Sequence, residues 1–289
     1  MKDKVVISLS SIPPRFKDLG KTLKCLLDQD YQADEIQVFV PRSYRRFPQH
    51  VFTCPEVPPG VALKIVDEDL GPATKVLYCA KEHWGTRTRI IYCDDDRLPE
   101  RNWLRSFILV SEKLPDKAIV STGWQLTRYG IYTSNERLPR AIKLRVIENY
   151  GYLGGRFNQK LKEFIFRKPY KKPSRINCKK SGWIDIAAGY GGVSIKPEFF
   201  DKNAFEIPPV VWTVDDVWLS GWLELKGIGI WQDNSIRVPI NISDIGIAGL
   251  GGSVIEDHNR HAANKLAIKY FQDNYSIWQD ESSPNLSRN

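Results

Sequence analysis

The sequence predicts an α/β fold, with a mostly parallel central sheet and helices on both faces. Two observations predict it. Short apolar runs alternate with helix-period segments through the first 123 residues, which is the signature of βαβ units. One of those runs, Arg89-Ile90-Ile91-Tyr92-Cys93, stops in three adjacent carboxylates, Asp94, Asp95 and Asp96. Ligands in open α/β sheets bind outside the carboxyl ends of the strands.

The elements follow in order. Residues 5–9 form the first strand, after which Phe16, Leu19, Leu23, Leu26 and Leu27 recur at helical spacing. Residues 35–40 form a second strand ended by Pro41, and residues 62–66 a third. Pro72 suits the first turn of a helix running to about Glu82, because the N–H that proline lacks would be unpaired there anyway. Residues 89–93 are the fourth strand, 99–113 the next helix and 118–121 the fifth strand. After about Gly123 the pattern breaks, and residues 124–182 are rich in Arg, Lys, Tyr and Pro without clear periodicity. Regular elements return at 184–195, 215–225 and 227–231, a helix closes the chain over 258–275, and 282–289 reads as a flexible tail.

A chain of 289 residues with 42% hydrophobic and 11% aromatic residues buries a large core, which excludes general disorder. No apolar run approaches the roughly 20 residues that span a bilayer. The first apolar run ends at Pro13-Pro14-Arg15 with no small-residue cleavage site, so it reads as a core strand and the expected location is cytoplasmic. The five cysteines have neither zinc-ligand nor CxxC spacing, which fits a reducing compartment. A net charge of +8 favours anionic partners.

Three acids in a row repel one another and call for a compensating cation. Hard divalent ions such as Mg2+ or Mn2+ take carboxylates together with substrate phosphates. A single acid after a strand is commonly a helix cap; three behind a continuous apolar strand point to a ligand site. Asp69-Leu70-Gly71-Pro72-Ala73-Thr74-Lys75 joins a strand to a helix. Gly71 there lets backbone approach a ligand, and Lys75 is placed to meet a phosphate; the alternative is a tight turn with an exposed lysine. Gly189, Gly191 and Gly192 sit inside a strand-like run, where they mark either a bulge or a loop that a sugar approaches closely. Asp215 and Asp216 open an amphipathic helix, as caps or as a general base. Asp215 is the better placed to cap and Asp216 to enter a cleft. His258 and His261 begin the last helix as candidate metal ligands. There is no GxxxxGK[ST], and Gly246-Ile-Ala-Gly249-Leu-Gly251-Gly252 lacks the βαβ context of a dinucleotide fingerprint.

In order, these features are a strand-terminal DxD, a glycine loop, an acid pair opening a helix and a late histidine. The order resembles that of the GT-A-fold glycosyltransferases. Ser8-Leu-Ser10-Ser-Ile-Pro-Pro-Arg15-Phe, Asp69-Leu-Gly-Pro-Ala-Thr-Lys75, Cys93-Asp-Asp-Asp-Arg-Leu-Pro99 and Asp215-Asp-Val-Trp-Leu-Ser-Gly221 look like one bacterial branch of them. The resemblance implies a Rossmann-like, single domain over 1–281. Its nucleotide-binding part covers about 1–123, a basic insertion about 124–182 and an acceptor and catalytic part about 183–275. It also implies transfer of a sugar from a UDP- or GDP-linked donor to a cell-envelope glycan or lipid-linked acceptor, with inversion and with Mn2+ or Mg2+.

Carried onto this chain, the resemblance puts Ser8, Ser10, Arg15, Gly71, Lys75, Gly191 and Gly192 near the donor. Asp94 faces the ribose and Asp96 the metal, with Asp95 open between the two roles. His258 or His261 completes the metal site. Asp216 is the favoured base, with Asp215 the alternative, since the pair is Asp-Asp where Glu-Asp is commoner.

Between Arg156 and Lys180 lie ten Lys or Arg, one Glu, and the aromatics Phe157, Phe164, Phe166 and Tyr170. That stretch is either a solvated face or a peripheral contact with anionic membrane. Two other readings compete with this one. A nucleotidyltransferase would carry glycine in the loop after the first strand, where Ser10-Ser-Ile-Pro-Pro-Arg15 has none. A nucleic-acid-binding module has no use for the three acids, and no nucleic-acid partner is expected.

Overall fold

The computed structural model describes residues 3–134, 136–167, 170, 172–242 and 260–281. Its first half follows the expected alternation. Strands β1 (Lys4–Ser10), β2 (Glu35–Pro41), β3 (Ala62–Val66) and β4 (Thr88–Tyr92) are separated by α1 (Phe16–Leu27) and α2 (Thr74–Glu82). Then come β5 (Arg97–Leu98), α3 (Trp103–Lys113), β6 (Ala118–Val120) and β7 (Gly123–Trp124). The helix expected from residue 99 begins at 103, because β5 intervenes and pairs with a strand far along the chain.

The segment without visible periodicity holds β8 (Ile142–Lys143), a 17-residue helix α4 (Tyr150–Phe166) and β9 (Cys178–Lys180). Beyond it lie β10 (Gly182–Ile184), β11 (Ile186–Ala187), β12 (Val193–Ile195), α5 (Asp215–Leu225), β13 (Ile230–Gln232), β14 (Ile240–Asn241) and α6 (Arg260–Tyr275). The single element expected over 184–195 is broken by a tight turn at Gly189–Gly191.

Eight strands form the central sheet in the order β10-β13-β6-β12-β4-β1-β2-β3. Every pairing is parallel except those that β12 makes with β4 and β6 and that β10 makes with β13. The fold is therefore α/β with a mostly parallel sheet. The short strands pair off the sheet, β11 with β7, β14 with β5 and β8 with β9.

Period-two alternation sends side chains to two cores. On β1, Val5, Ile7 and Leu9 join Leu19, Leu23 and Leu26 of α1 and Trp103, Leu104 and Phe107 of α3. Val6 points the other way, into a core built from Val76, Leu77 and Ala80 of α2, from α5, and from Ala267, Ile268 and Phe271 of α6. On β4, Ile91 faces the first core while Ile90 and Tyr92 face the second. A strand apolar at every position is what a sheet covered on both faces requires.

Candidate active site

The winding of the sheet reverses at β1, which has β2 on one side and β4 on the other. At such a switch point the loops leaving two neighbouring strands diverge and open a crevice at their carboxyl ends. A cleft of about 1300 Å³ lies there. Ser10 at the end of β1, Ser11 and Arg15 after it, Asp94, Asp95 and Asp96 after β4, Gly71 just before α2 and Lys75 in its first turn, Asp215 and Asp216 at the start of α5, and His261 of α6 all line it.

Each acid after β4 has its own cation. Asp95 accepts hydrogen bonds from Ser11 Oγ at 2.5 Å and Arg15 Nη1 at 2.6 Å, and its carbonyl accepts from Thr22 Oγ1 at 2.7 Å. These bonds fasten the opening of α1 to the acidic turn. Burial raises the Asp95 pKa, and Arg15 and Ser11 only partly counter it. Burial also disfavours the Arg15 charge, but Asp95 and Asp96 overcome that and raise its pKa. Asp96 has Arg15 Nη2 and Arg97 Nε each 3.1 Å away. Its Oδ1 is nevertheless buried without a hydrogen bond.

Asp94 is paired with Lys75, whose Nζ lies 2.6 Å from Oδ1. Burial works against the Asp94 charge, but Lys75, Arg97 and Arg15 outweigh it and pull its pKa down to about 2.

Lys75 is buried, and its Nζ also lies 3.0 Å from Oδ2 of Asp215. Burial disfavours its charge, yet Asp215, Asp94 and Asp216 hold its pKa well above the ordinary lysine value. The lysine on the cleft wall is thus a cation bridging two sets of acids, not the exposed side chain that a plain turn would leave. Ser8 lies behind it, its buried hydroxyl donating to the Lys75 carbonyl at 2.5 Å.

The capping expectation for Asp215 is corrected. The cap position of α5 is Val214, and no side chain caps it. Asp215 instead turns to Lys75. Asp216 accepts from the Gly189 N–H at 2.8 Å, and its carbonyl accepts from Ser220 Oγ at 2.6 Å. Ser220 Oγ in turn accepts from the Ala187 N–H at 2.9 Å, so the acid pair is braced against β11 and the glycine turn.

The glycines are explained by close packing. Gly192 has φ +92°, and a Cβ there would run into Trp103; one on Gly191 would meet Ser121 and Thr122. The group approaching this backbone is protein, since the Gly191 carbonyl accepts from Trp103 Nε1 at 3.2 Å and Ser121 Oγ at 2.7 Å. Both residues support the turn whose Tyr190 reaches the cleft. Gly71 has φ +60°, and a Cβ there would lie 2.8 Å from the Trp212 carbonyl oxygen.

His261 lines the cleft with its ring stacked on Tyr129, centroids 5.1 Å apart. His258 and the glycine loop 246–252 lie outside the described residues, as does the tail 282–289. Among the described residues no cluster of three His, Cys, Asp or Glu could hold a metal. Asp94 and Asp96 on the cleft wall are hard oxygen donors, and Asp96 Oδ1 makes no hydrogen bond although Arg97 Nε faces it at 3.1 Å. They suit an ion that takes its other ligands from water and phosphate, as Mg2+ does.

Sequence reasoning missed several lining residues. Arg97 lies over the Tyr190 ring at 4.8 Å, and Trp212 has Arg45, itself outside the lining, over its ring at 5.0 Å. Asp69 accepts from the Arg45 and Gly71 N–H groups at 2.8 Å each, and burial raises its pKa. Tyr44, Arg46 and Phe47 complete that wall, and Arg128, Lys143, Arg145 and Arg175 give the cleft a basic rim. Arg97 directly follows the triad and Trp212 shortly precedes the acid pair, so position in sequence was the available signal.

No family model and no curated protein matches the chain. Among solved structures, it is similar to S. aureus TarS 1–349, with a TM-score of 0.44 and 8% identity over 95% of this chain and 72% of that one. For the same protein in complex with UDP the values are 0.43, 9%, 95% and 72%. Likenesses this slight do not extend to activity or to a ligand.

Proposed function

We propose that the chain is a glycosyltransferase of GT-A type. It moves a sugar from a nucleotide diphosphate donor, UDP- or GDP-linked, to a hydroxyl of a glycan or lipid-linked acceptor. The observation that carries the reading is the meeting of two acidic groups in one cleft at the sheet's switch point. Asp94, Asp95 and Asp96 stand with Arg15 after the strands, Asp215 and Asp216 open α5, and Lys75 links the two groups.

The donor diphosphate lies at the Arg15 and Asp94–Asp96 end. Asp94 and Asp96 would hold a divalent ion, which would supply neutralisation of the charge on the leaving diphosphate. Lys75 acts through Asp94 and Asp215, holding both in place by its ion pairs. Tyr190, whose ring lines the cleft with Arg97 over it, gives an aromatic contact for the donor or acceptor.

Of the acid pair, Asp215 is engaged by Lys75, whose Nζ lies 3.0 Å from its Oδ2. Asp216 is aimed by the Gly189 N–H and takes the proton. The acceptor oxygen bonds to the anomeric carbon as its proton passes to Asp216. The carbon–oxygen bond to the diphosphate breaks, and its electron pair leaves with the phosphate. Attack from the side opposite the leaving group inverts the anomeric centre. A thermal-shift panel of UDP- and GDP-sugars with Mn2+ tests the reading: stabilisation by one nucleotide series and not by ATP or NAD supports it, and no stabilisation by any of them overturns it.

A further inference from the structure

Helix α4 presents an apolar face to solvent. At about 100° per residue, Leu153, Phe164, Phe157, Tyr150, Leu161 and Ile165 fall within about 120° of arc. All six are exposed, Phe164 at 86%, Tyr150 at 81% and Phe157 at 70%. The helix is held from its other side. Tyr152 is buried, Gly155 packs against Pro173, and Asn149 caps the start by accepting the Tyr152 N–H at 3.1 Å. An amphipathic helix ordinarily turns its apolar stripe inward. Here the helix is fixed with the stripe facing out.

Basic residues border the stripe on both sides. By the same geometry Lys160 lines one edge and Lys162 the other, while Arg156, over the Tyr152 ring, and the one acid, Glu163, sit further round towards the buried side. Two copies of such a face meeting about a two-fold axis would bring like charges together at both margins. Anionic headgroups complement them, and Tyr, Phe and Leu suit the boundary between headgroups and acyl chains. No helix among the described residues is long and apolar enough to cross a membrane, so contact through α4 is with the surface.

The helix also sits beside the cleft. It is an excursion between the paired strands β8 and β9; Lys143 ends β8, and the segments joining the helix to the strands carry Leu144, Arg145, Val146, Arg175 and Asn177 on the cleft rim. We infer that α4 is an in-plane membrane helix, which inserts Tyr150, Leu153, Phe157, Leu161 and Phe164 into the surface of an anionic bilayer and brings the basic rim of the cleft down to the headgroups. The docking stands without the proposed reaction. Its use, presenting a lipid-linked acceptor, rests on that reading.

The test is co-flotation of the full chain with vesicles of phosphatidylcholine alone or with phosphatidylglycerol, at about 0.1 M and about 0.5 M salt, where screening differs strongly. Binding to the anionic vesicles is expected, weakening in high salt. The double variant Phe157→Ser/Phe164→Ser should lower the partition coefficient at least about tenfold, as loss of two inserted aromatic side chains implies. Its fold is checked by circular dichroism. Hydrogen exchange on the unaltered chain gives a second reading, with amides of residues 150–166 protected when anionic vesicles are added. Equal partition into both vesicle types, wild-type binding by the double variant, or no protection over 150–166 overturns the inference. So does a dimer in sedimentation that the double variant dissolves without any vesicle binding, which would assign the face to a second copy of the chain.

Discussion

Nζ of Lys75 lies 3.0 Å from Oδ2 of Asp215, joining the start of α2 to the start of α5 across the floor of the cleft. The same nitrogen reaches Asp94, so one buried cation neutralises acids from two distant segments. Removing it leaves carboxylates in a poorly hydrated place without their partner. Breaking a buried ion pair from one side typically costs about 3–5 kcal/mol. Lys75→Met is expected to lose stability of that order in urea unfolding. The cost should shrink when Asp215→Asn is added, because the two changes remove one shared interaction.

The acid limb of stability carries a signature of Asp94. Its pKa in the folded chain is depressed, so its contribution is complete above the unfolded value of about 4 and is lost as pH falls towards about 2. Lys75 has a raised pKa, so its contribution is complete below the ordinary lysine value and is lost only as pH rises past it into strong alkali. Asp95 works in the opposite sense, since burial raises its pKa. Asp94→Asn should therefore flatten the fall in stability between about pH 4 and pH 2 relative to the wild type, measured by thermal unfolding across that range.

Gly71→Ala should harm the cleft through the backbone. The position has φ +60°, and the added methyl would lie 2.8 Å from the Trp212 carbonyl oxygen. A strained non-glycine residue costs on the order of 1–3 kcal/mol. Since Trp212 Nε1 also donates to the Asp69 carbonyl at 3.2 Å, donor affinity should fall along with stability. Unfolding and nucleotide titration of the same variant check both effects.

Asp216→Asn is expected to leave donor binding intact and to lower turnover by roughly 10²–10⁴-fold, the range for loss of a general base. Asp215→Asn should reduce stability more than turnover, because it loosens Lys75. Normal turnover in Asp216→Asn with an inactive Asp215→Asn would exchange the two roles. A product that keeps the donor's anomeric configuration would remove the inverting mechanism.

Local pattern made much of the sheet legible. The strand expected at 62–66 is β3, that at 5–9 falls one residue short of β1 at each end and that at 35–40 one residue short of β2 at one end, because continuous apolar runs bounded by Pro and polar residues leave little choice. Helix α4 was hidden by Gly151, Gly154 and Gly155, and by an apolar stripe that meets no core. Strand β5 was hidden because its partner Ile240 lies far along the chain from Leu98. The acids of the cleft were legible as a cluster. Their neutralisation was not: three adjacent acids need a cation, and Arg15, Lys75 and Arg97 supply it from three separate segments. Asp215 looked like a cap for the same reason, since only the folded chain brings Lys75 to it.

The most direct test of the account is calorimetric titration of UDP and of GDP into the chain with Mn2+, repeated with EDTA and with Asp96→Ala. Asp96 is chosen because Asp95 keeps its bonds to Arg15 and Ser11 when Asp96 is removed, so the fold should hold. The account expects one of the two nucleotides to bind with Mn2+, and expects binding to weaken at least about tenfold in EDTA and in Asp96→Ala, as loss of a charge-assisted contact to the diphosphate implies. No binding of either nucleotide, or binding indifferent both to EDTA and to Asp96→Ala, would contradict it.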